Sequence, residues 1–132
     1  MIELHNYVFR SSPHTAQELI GNNAIHAGVV LPLGEVEILD PDQLLDPPLS
    51  VWRNGEQLGI ETGRALQDGP FGSVMRLVEH LERFGRTLGR GQLVLTGSPL
   101  PLYRVTAGDF IEVRCHKLGG SIVATVARPV GR

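Results

Sequence analysis

Leu93-Val94-Leu95-Thr96-Gly97-Ser98-Pro99-Leu100, followed by Val105-Thr106-Ala107-Gly108-Asp109-Phe110-Ile111-Glu112-Val113, is the stretch whose reading decides the fold of this chain. An apolar run delivers a small polar knot, Thr96-Gly97-Ser98. The Gly108-Asp109 pair then launches a second run that alternates apolar and polar residues. Apolar runs bounded by Gly and Pro read as short strands. A turn at the end of such a strand gathers hydroxyl and backbone N–H donors, which suits it to hold a carbonyl or a carboxylate. The same groups equally satisfy an ordinary turn.

Working outward, Phe110 to Cys115 and Ser121 to Val126 read as strands joined by a Leu118-Gly119-Gly120 turn. Upstream, Leu49 to Arg53 and Glu56 to Thr62 flank Asn54-Gly55, a pair that tolerates the positive φ angles of a two-residue hairpin. Pro70 can open a helix that continues through Glu82. Val74, Leu77, Val78, Leu81 and Phe84 recur there at helical spacing, and Gly85 is the expected terminator. Thr87 to Gly91 reads as a linker.

Nearer the N-terminus, Ile2 to Phe9 is an interrupted strand, and a helix is expected over Pro13 to His26, burying Ala16, Leu19, Ile20 and Ala24. Two starts compete for it, Ser12-Pro13 and a Thr15…Glu18 capping box. Gly21 weakens this helix by about 1 kcal/mol relative to Ala. Gly28 to Leu33 and Val36 to Leu39 read as strands, and Asp40 to Pro48 as a surface loop. No internal repeat or boundary interrupts the pattern, so one domain over residues 1–127 with a tail at 128–132 is expected.

Composition narrows the class. Of 132 residues, 42% are hydrophobic and 20% charged, the balance of a folded globular chain rather than a disordered one. A formal net charge of −2 gives no bulk attraction for nucleic acid, and the Arg83, Arg86, Arg90 cluster is too small to change that. The single cysteine, Cys115, cannot form an internal disulfide, which fits a reducing compartment. No apolar run approaches the roughly 18 residues of a membrane span. A cytoplasmic protein without membrane or nucleic-acid partners is expected.

Taken in order, these segments resemble the C-terminal half of the fumarylacetoacetate hydrolase superfamily, in its 2-keto-4-pentenoate hydratase and 4-oxalocrotonate decarboxylase branch. The resemblance rests on Val94 to Ser98, Gly108-Asp109, Phe110 to Cys115, Leu118-Gly119-Gly120 and Ser121 to Val126. Upstream it rests on Val51-Trp52-Arg53-Asn54-Gly55-Glu56 with Glu61-Thr62-Gly63, on Gly69-Pro70 and its helix, and on Asn22-Asn23-Ala24 before Gly28-Val29-Val30-Leu31. It implies an α+β fold, a mixed, strongly bent β-sheet or roll with two packed helices. It also implies a metal-dependent lyase of aromatic-compound catabolism that hydrates or decarboxylates short 2-oxo-enoic acids through a metal-stabilised enolate.

The resemblance further implies roles for particular residues. Glu3, in Ile2-Glu3-Leu4, matches one of three carboxylates that hold Mg²⁺ or Mn²⁺, hard ions suited to oxygen ligands. Asn22, Asn23, Thr96, Gly97 and Ser98 match positions that hydrogen-bond a substrate carboxylate or oxo group. The family's Glu-x-Glu pair, however, has no counterpart before Glu3, and Glu35-x-Glu37 lies on the wrong side of the Asn-Ala segment. Pro13 stands where the family has a lysine, and Ile25 where it has a hydroxyl.

Three readings follow. The chain is a subunit or partial domain whose metal site is completed by a chain carrying Glu-x-Glu, so that Mg²⁺ or Mn²⁺ binds only with that partner. Or it is a non-catalytic binding or regulatory homologue. Or it is a small-molecule-binding homo-oligomer with a different reaction. Cys115 and His116 are adjacent on a strand and point to opposite faces, so no Cys/His dyad is expected from them. His5, His14, His26 and His80 show no metal-ligand spacing, and Trp52 is expected to pack.

Overall fold

The hairpin forms where Asn54-Gly55 places it. Both residues adopt positive φ, 52° and 85°, the geometry whose twist matches antiparallel strands. They join β3 (Leu49–Arg53) to β4 (Glu56–Glu61). The computed structural model describes residues 1–9, 13–33, 47–62 and 68–128. It divides the chain into two compact units, Met1–Glu35 and Val36–Arg132. The expected strand at Val36 to Leu39 and most of the Asp40 to Pro48 loop lie outside the described residues.

In the second unit, β5 (Phe110–Cys115) and β6 (Gly120–Thr125) complete a four-stranded antiparallel sheet in the order β4-β3-β5-β6. Register assigns the two faces. Val51 lies opposite Val113, and Val113 opposite Ile122, so one face carries an apolar row, and Ile111 and Ile122 are buried. Ser50 lies opposite Arg114, and Arg114 opposite Ser121, placing a polar row on the other face. Cross-strand rows of this kind are the unit of sheet stabilisation.

Gly59 sits opposite Val51. A Cβ there would collide with the Tyr103 hydroxyl and come within 3.1 Å of Leu100. The missing side chain therefore lets the 100–103 segment lie directly on β4, where a larger residue would force it away at a cost of about 1–3 kcal/mol.

One polar corner ties the hairpin turn to the Gly108-Asp109 turn. The Asn54 side-chain amide donates to Asp109 Oδ1 at 2.9 Å, and its Oδ1 accepts from the Phe110 backbone N–H at 2.8 Å. Asp109 Oδ2 accepts from the Thr106 backbone N–H at 2.8 Å and from the Thr106 hydroxyl at 3.1 Å. Gly108, at φ 98°, provides the left-handed step this turn requires. These bonds, the one from the Thr106 backbone first and that from Asn54 next, hold the Asp109 carboxyl below its usual range.

The opening apolar run departs from expectation. Residues 92–98 form no strand, and Leu93 and Leu95 are 54% and 37% exposed. Leu-Val-Leu suits a strand only where a neighbouring edge accepts its backbone, because strand preference depends on pairing and burial rather than on the residue alone. No such edge is paired to it among the described residues. The alternating run likewise enters the ladder only at Phe110; Thr106 to Asp109 is a turn.

Helix α2 runs Gly69–Glu82. The Gly85 N–H bonds the Glu82 carbonyl and the Arg86 N–H bonds Leu81, with Gly85 at φ 64°. This is a Schellman ending with glycine in the expected place. Val74, Leu77, Val78 and Leu81 are half-buried, whereas Phe84 is 68% exposed. Among the described residues, no strand engages α2 extensively.

In the first unit, β1 (Ile2–His5) pairs antiparallel with β2 (His26–Val30), with a register shift at Leu4/His5. The expected Pro13 to His26 helix is much shorter: α1 spans only Ala16–Gly21. The Thr15…Glu18 capping box starts it, with Thr15 Oγ1 accepting from the Glu18 N–H at 3.2 Å and Glu18 Oε2 from the Thr15 N–H at 2.7 Å. Gly21 and Asn22 end it, and Ile20, expected to be buried, is 80% exposed. The α+β class stands, its described strands divided between two antiparallel sheets. No helix among the described residues is long and apolar enough to cross a membrane.

The lowered Asp109 carboxyl has a pH consequence. A carboxylate with a depressed native pKa contributes stability above its unfolded value and loses it as pH falls through the native one. Acid unfolding should therefore steepen below about pH 4, and Asp109→Asn should flatten that limb while lowering stability at neutral pH. Denaturant midpoints measured across this range check both outcomes.

Candidate functional site

Three groups of polar side chains are candidates for function: the first lies in the first unit, the third in the second, and the members of the second group are divided between the two. The first surrounds Glu3. On β1, Glu3 and His5 share a face by the two-residue alternation of a strand. His26 Nδ1 lies 2.9 Å from Glu3 Oε1, and His5 Nε2 lies 3.5 Å from the same oxygen. An ionised carboxylate only accepts, so His26 donates its Nδ1–H to Glu3.

The backbone that delivers His26 is unusual. Asn23, Ala24 and Ile25 all have positive φ, 51°, 51° and 59°. A left-handed run costs roughly 1–2 kcal/mol per residue, and a β-branched residue there is a marked outlier. Burial of Ile25 at 7% exposure offsets part of this cost. So do hydrogen bonds from the Ile25 N–H to the Asn22 carbonyl at 2.8 Å and from the Asn6 N–H to the Ile25 carbonyl at 2.9 Å. Strain held in this way clusters at functional positions.

The implied metal does not fit these residues by themselves. Glu3 Oε1 already accepts from an imidazole, and no group of three or more His, Cys, Asp or Glu side chains among the described residues is arranged to hold a metal ion. Glu35 and Glu37 lie outside the described residues. Sequence spacing gave no reason to link His5 or His26 to Glu3, because the β1–β2 register and the left-handed turn create the contact.

The second group consists of the anticipated substrate ligands. Asn22 caps α1, its Nδ2 donating to the Glu18 carbonyl at 2.8 Å. Ser98 closes its own turn: its hydroxyl donates to the Leu100 carbonyl at 2.9 Å and accepts from the Leu100 N–H at 3.1 Å. Gly97 is left-handed at φ 98°. No side-chain hydrogen bond engages Asn23 or Thr96 among the described residues. Asn22 and Asn23 belong to the first unit, and Thr96, Gly97 and Ser98 to the second.

The third group is one that reading the sequence missed. Ser50 is fully buried. Its Oγ lies 2.8 Å from His116 Nε2 and accepts from Trp52 Nε1 at 2.8 Å. The Arg114 guanidinium lies 4.3 Å from the Trp52 ring centroid, and its Nη2 bonds Glu112 Oε2 at 2.8 Å. That bond holds the Glu112 carboxyl below its usual range and raises the Arg114 guanidinium above its own. Ser50 and Trp52 alternate on β3, and Glu112 and Arg114 on β5, with His116 just beyond; only the β3–β5 register, joining residues about 60 apart, reveals that they share a face. Cys115 and His116 form no dyad, as expected, and His116 instead turns to Ser50.

The left-handed turn offers a direct test. Glycine meets no Cβ penalty at positive φ, so Ala24→Gly should raise unfolding stability by up to about 1 kcal/mol. Chemical denaturation checks the sign; a destabilised variant would show that the turn is not left-handed in solution.

Comparison with known proteins places these groups in a family. Residues 8–127 match the fumarylacetoacetate (FAA) hydrolase C-terminal family. A 2-keto-4-pentenoate hydratase of Paraburkholderia xenovorans is 34% identical over 73 residues, 55% of this chain and 26% of the relative. 2-Keto-4-pentenoate hydratase 1 of Dechloromonas aromatica is 30% identical over 102 residues, 77% of this chain and 38% of the relative. The TodF product hydratase of Pseudomonas putida is 34% identical over 76 residues, 58% of this chain and 28% of the relative. The chain thus spans about a quarter to two fifths of the length of the curated relatives it matches. With a match over nearly its whole length, the chain belongs to the fumarylacetoacetate hydrolase family, in its hydratase branch.

Proposed function

We propose that this chain is one part of a divalent-metal-dependent hydratase acting on short 2-oxo-enoic acids, with the remaining metal-binding carboxylates supplied by another chain. The observation that carries the reading is the conjunction of hydratase relatives with a Glu3 that has no companion carboxylate ligands among the described residues. Relatives named for hydrating 2-keto-4-pentenoate give the substrate class. A single carboxylate cannot form an ordered site for Mg²⁺ or Mn²⁺, which take several oxygen ligands.

Within that assembly, this chain's own contribution is hydrogen bonding. In the second unit, Thr96 Oγ1 and the Gly97 backbone are the donors left for a substrate carboxylate or oxo group; in the first unit the Asn23 amide is a separate candidate donor. Asn22 and Ser98 act by shaping the helix end and the turn that present them. Decarboxylation of a related acid is the alternative reaction for the same parts, and the assembly is either a homo-oligomer or a hetero-oligomer.

A second reading has a specific observation in its favour. Two imidazoles crowd Glu3 Oε1, as in a homologue that has exchanged its metal ligand for a structural contact and serves as a binding or regulatory subunit.

Affinity purification of the tagged chain from its native host, followed by assay with 2-keto-4-pentenoate and Mg²⁺, separates the two. The split-enzyme reading predicts a stoichiometric partner containing Glu-x-Glu. It also predicts Mg²⁺-dependent turnover by the complex, a rate for the chain alone at background, and a loss of at least about a hundredfold in Glu3→Ala. An inactive complex would establish the non-catalytic reading instead, and an active complex indifferent to Glu3→Ala would overturn the metal-binding role of Glu3.

A further inference from the structure

Ser50, Trp52 and His116 form a hydrogen-bond chain whose direction is fixed by donor inventory. The Trp52 indole N–H can only donate, and it donates to Ser50 Oγ. The serine hydroxyl has one proton, and His116 Nε2 is its other neighbour, at 2.8 Å. If Nε2 carried a proton, the Ser50 proton would be left without an acceptor at a site with zero exposure. An unmade buried hydrogen bond of that kind leaves the desolvation of the hydroxyl uncompensated. Ser50 therefore donates to Nε2, and His116 carries its proton on Nδ1.

This reverses the usual serine–histidine logic. A fully buried serine is no nucleophile; here it is the group that orients the histidine. His116 itself is exposed. It borders a shallow cavity of about 310 Å³ that is also lined by Arg114, Gly119 and Ser121, and by Glu112, whose carboxylate is engaged by Arg114.

Arg114 is held in a comparable way. Trp52 lies against its face, and Glu112 pins one nitrogen, Nη2. Glu112 is 20% exposed at its side chain and Arg114 41%, so the guanidinium is the more exposed of the pair, and both residues border the cavity. Of the three guanidinium nitrogens, only Nη2 is engaged by a side chain among the described residues, leaving a planar edge suited to a bidentate carboxylate.

We propose that the cavity beside His116 is a binding site for the carboxylate of a small molecule. The free edge of Arg114 and the Nδ1–H of His116 are its donors, and Ser50 and Trp52 are the positioning residues that fix the imidazole. The proposal uses only side chains of the second unit and does not depend on the hydratase reading.

Nuclear magnetic resonance of the ¹⁵N-labelled full chain tests it, with sodium acetate and sodium pyruvate as probes and sodium chloride at equal ionic strength as control. The expected spectrum shows His116 in the Nδ1–H tautomer, and Trp52→Phe and Ser50→Ala release that preference. Both carboxylates should give saturable shifts at His116 and at Arg114 Nε that chloride does not reproduce. Arg114→Lys keeps the charge and the exposed position but loses the planar fork, and should raise the apparent dissociation constant about tenfold. An Nε2–H tautomer in the unmodified chain would overturn the orienting role. Responses that match chloride, or that persist unchanged in Arg114→Lys, would overturn the site.

Discussion

A hydroxyl group with no access to water must find its partners inside the protein, and among the described residues Ser50 is the fully buried case. Leaving it unpaired would cost more than a single hydrogen bond gains, because the desolvation penalty is then uncompensated. The chain meets this demand with Trp52 from the same strand and His116 from just beyond β5. Those contacts exist only if β3 and β5 pair in one register, with Ser50 opposite Arg114. A shift of one residue would turn Ser50 toward the apolar face and Val51 away from it. The polar face thus specifies register, and the apolar row of Val51, Val113 and Ile122 supplies the burial that register allows.

The smaller unit poses a different problem. Two strands alone are marginal, and the turn between α1 and β2 holds three consecutive residues in left-handed geometry. What that geometry achieves is to bring His26 against Glu3. Glu3, likened by the family resemblance to a metal carboxylate, is engaged here with imidazole. No group of three or more candidate metal ligands accompanies it among the described residues.

The sequence made some of this legible because the signals were local. Asn54-Gly55 announced its hairpin, Thr15 and Glu18 their capping box, and Gly85 its helix end, each through chemistry confined to a few residues. The helix expected through His26 failed because apolar spacing at Ala16, Leu19, Ile20 and Ala24 does not report the left-handed turn that interrupts it. Leu93 to Leu95 misled for a related reason: an apolar run states a capacity for pairing, and the pairing partner is a property of the fold. Ser50 and His116 are 66 residues apart, and Glu3 and His26 meet across a two-stranded register. No spacing rule within one segment identifies either pair, so the candidate site was readable only as isolated residues such as Thr96 and Ser98.

Among the described residues, Glu3 has no companion ligands with which to hold a catalytic metal. Isothermal titration calorimetry of the purified chain with MgCl₂ tests this most directly, with Glu3→Gln titrated alongside. The account predicts no saturable heat from either protein. Stoichiometric Mg²⁺ binding by the isolated chain, abolished by Glu3→Gln, would contradict it.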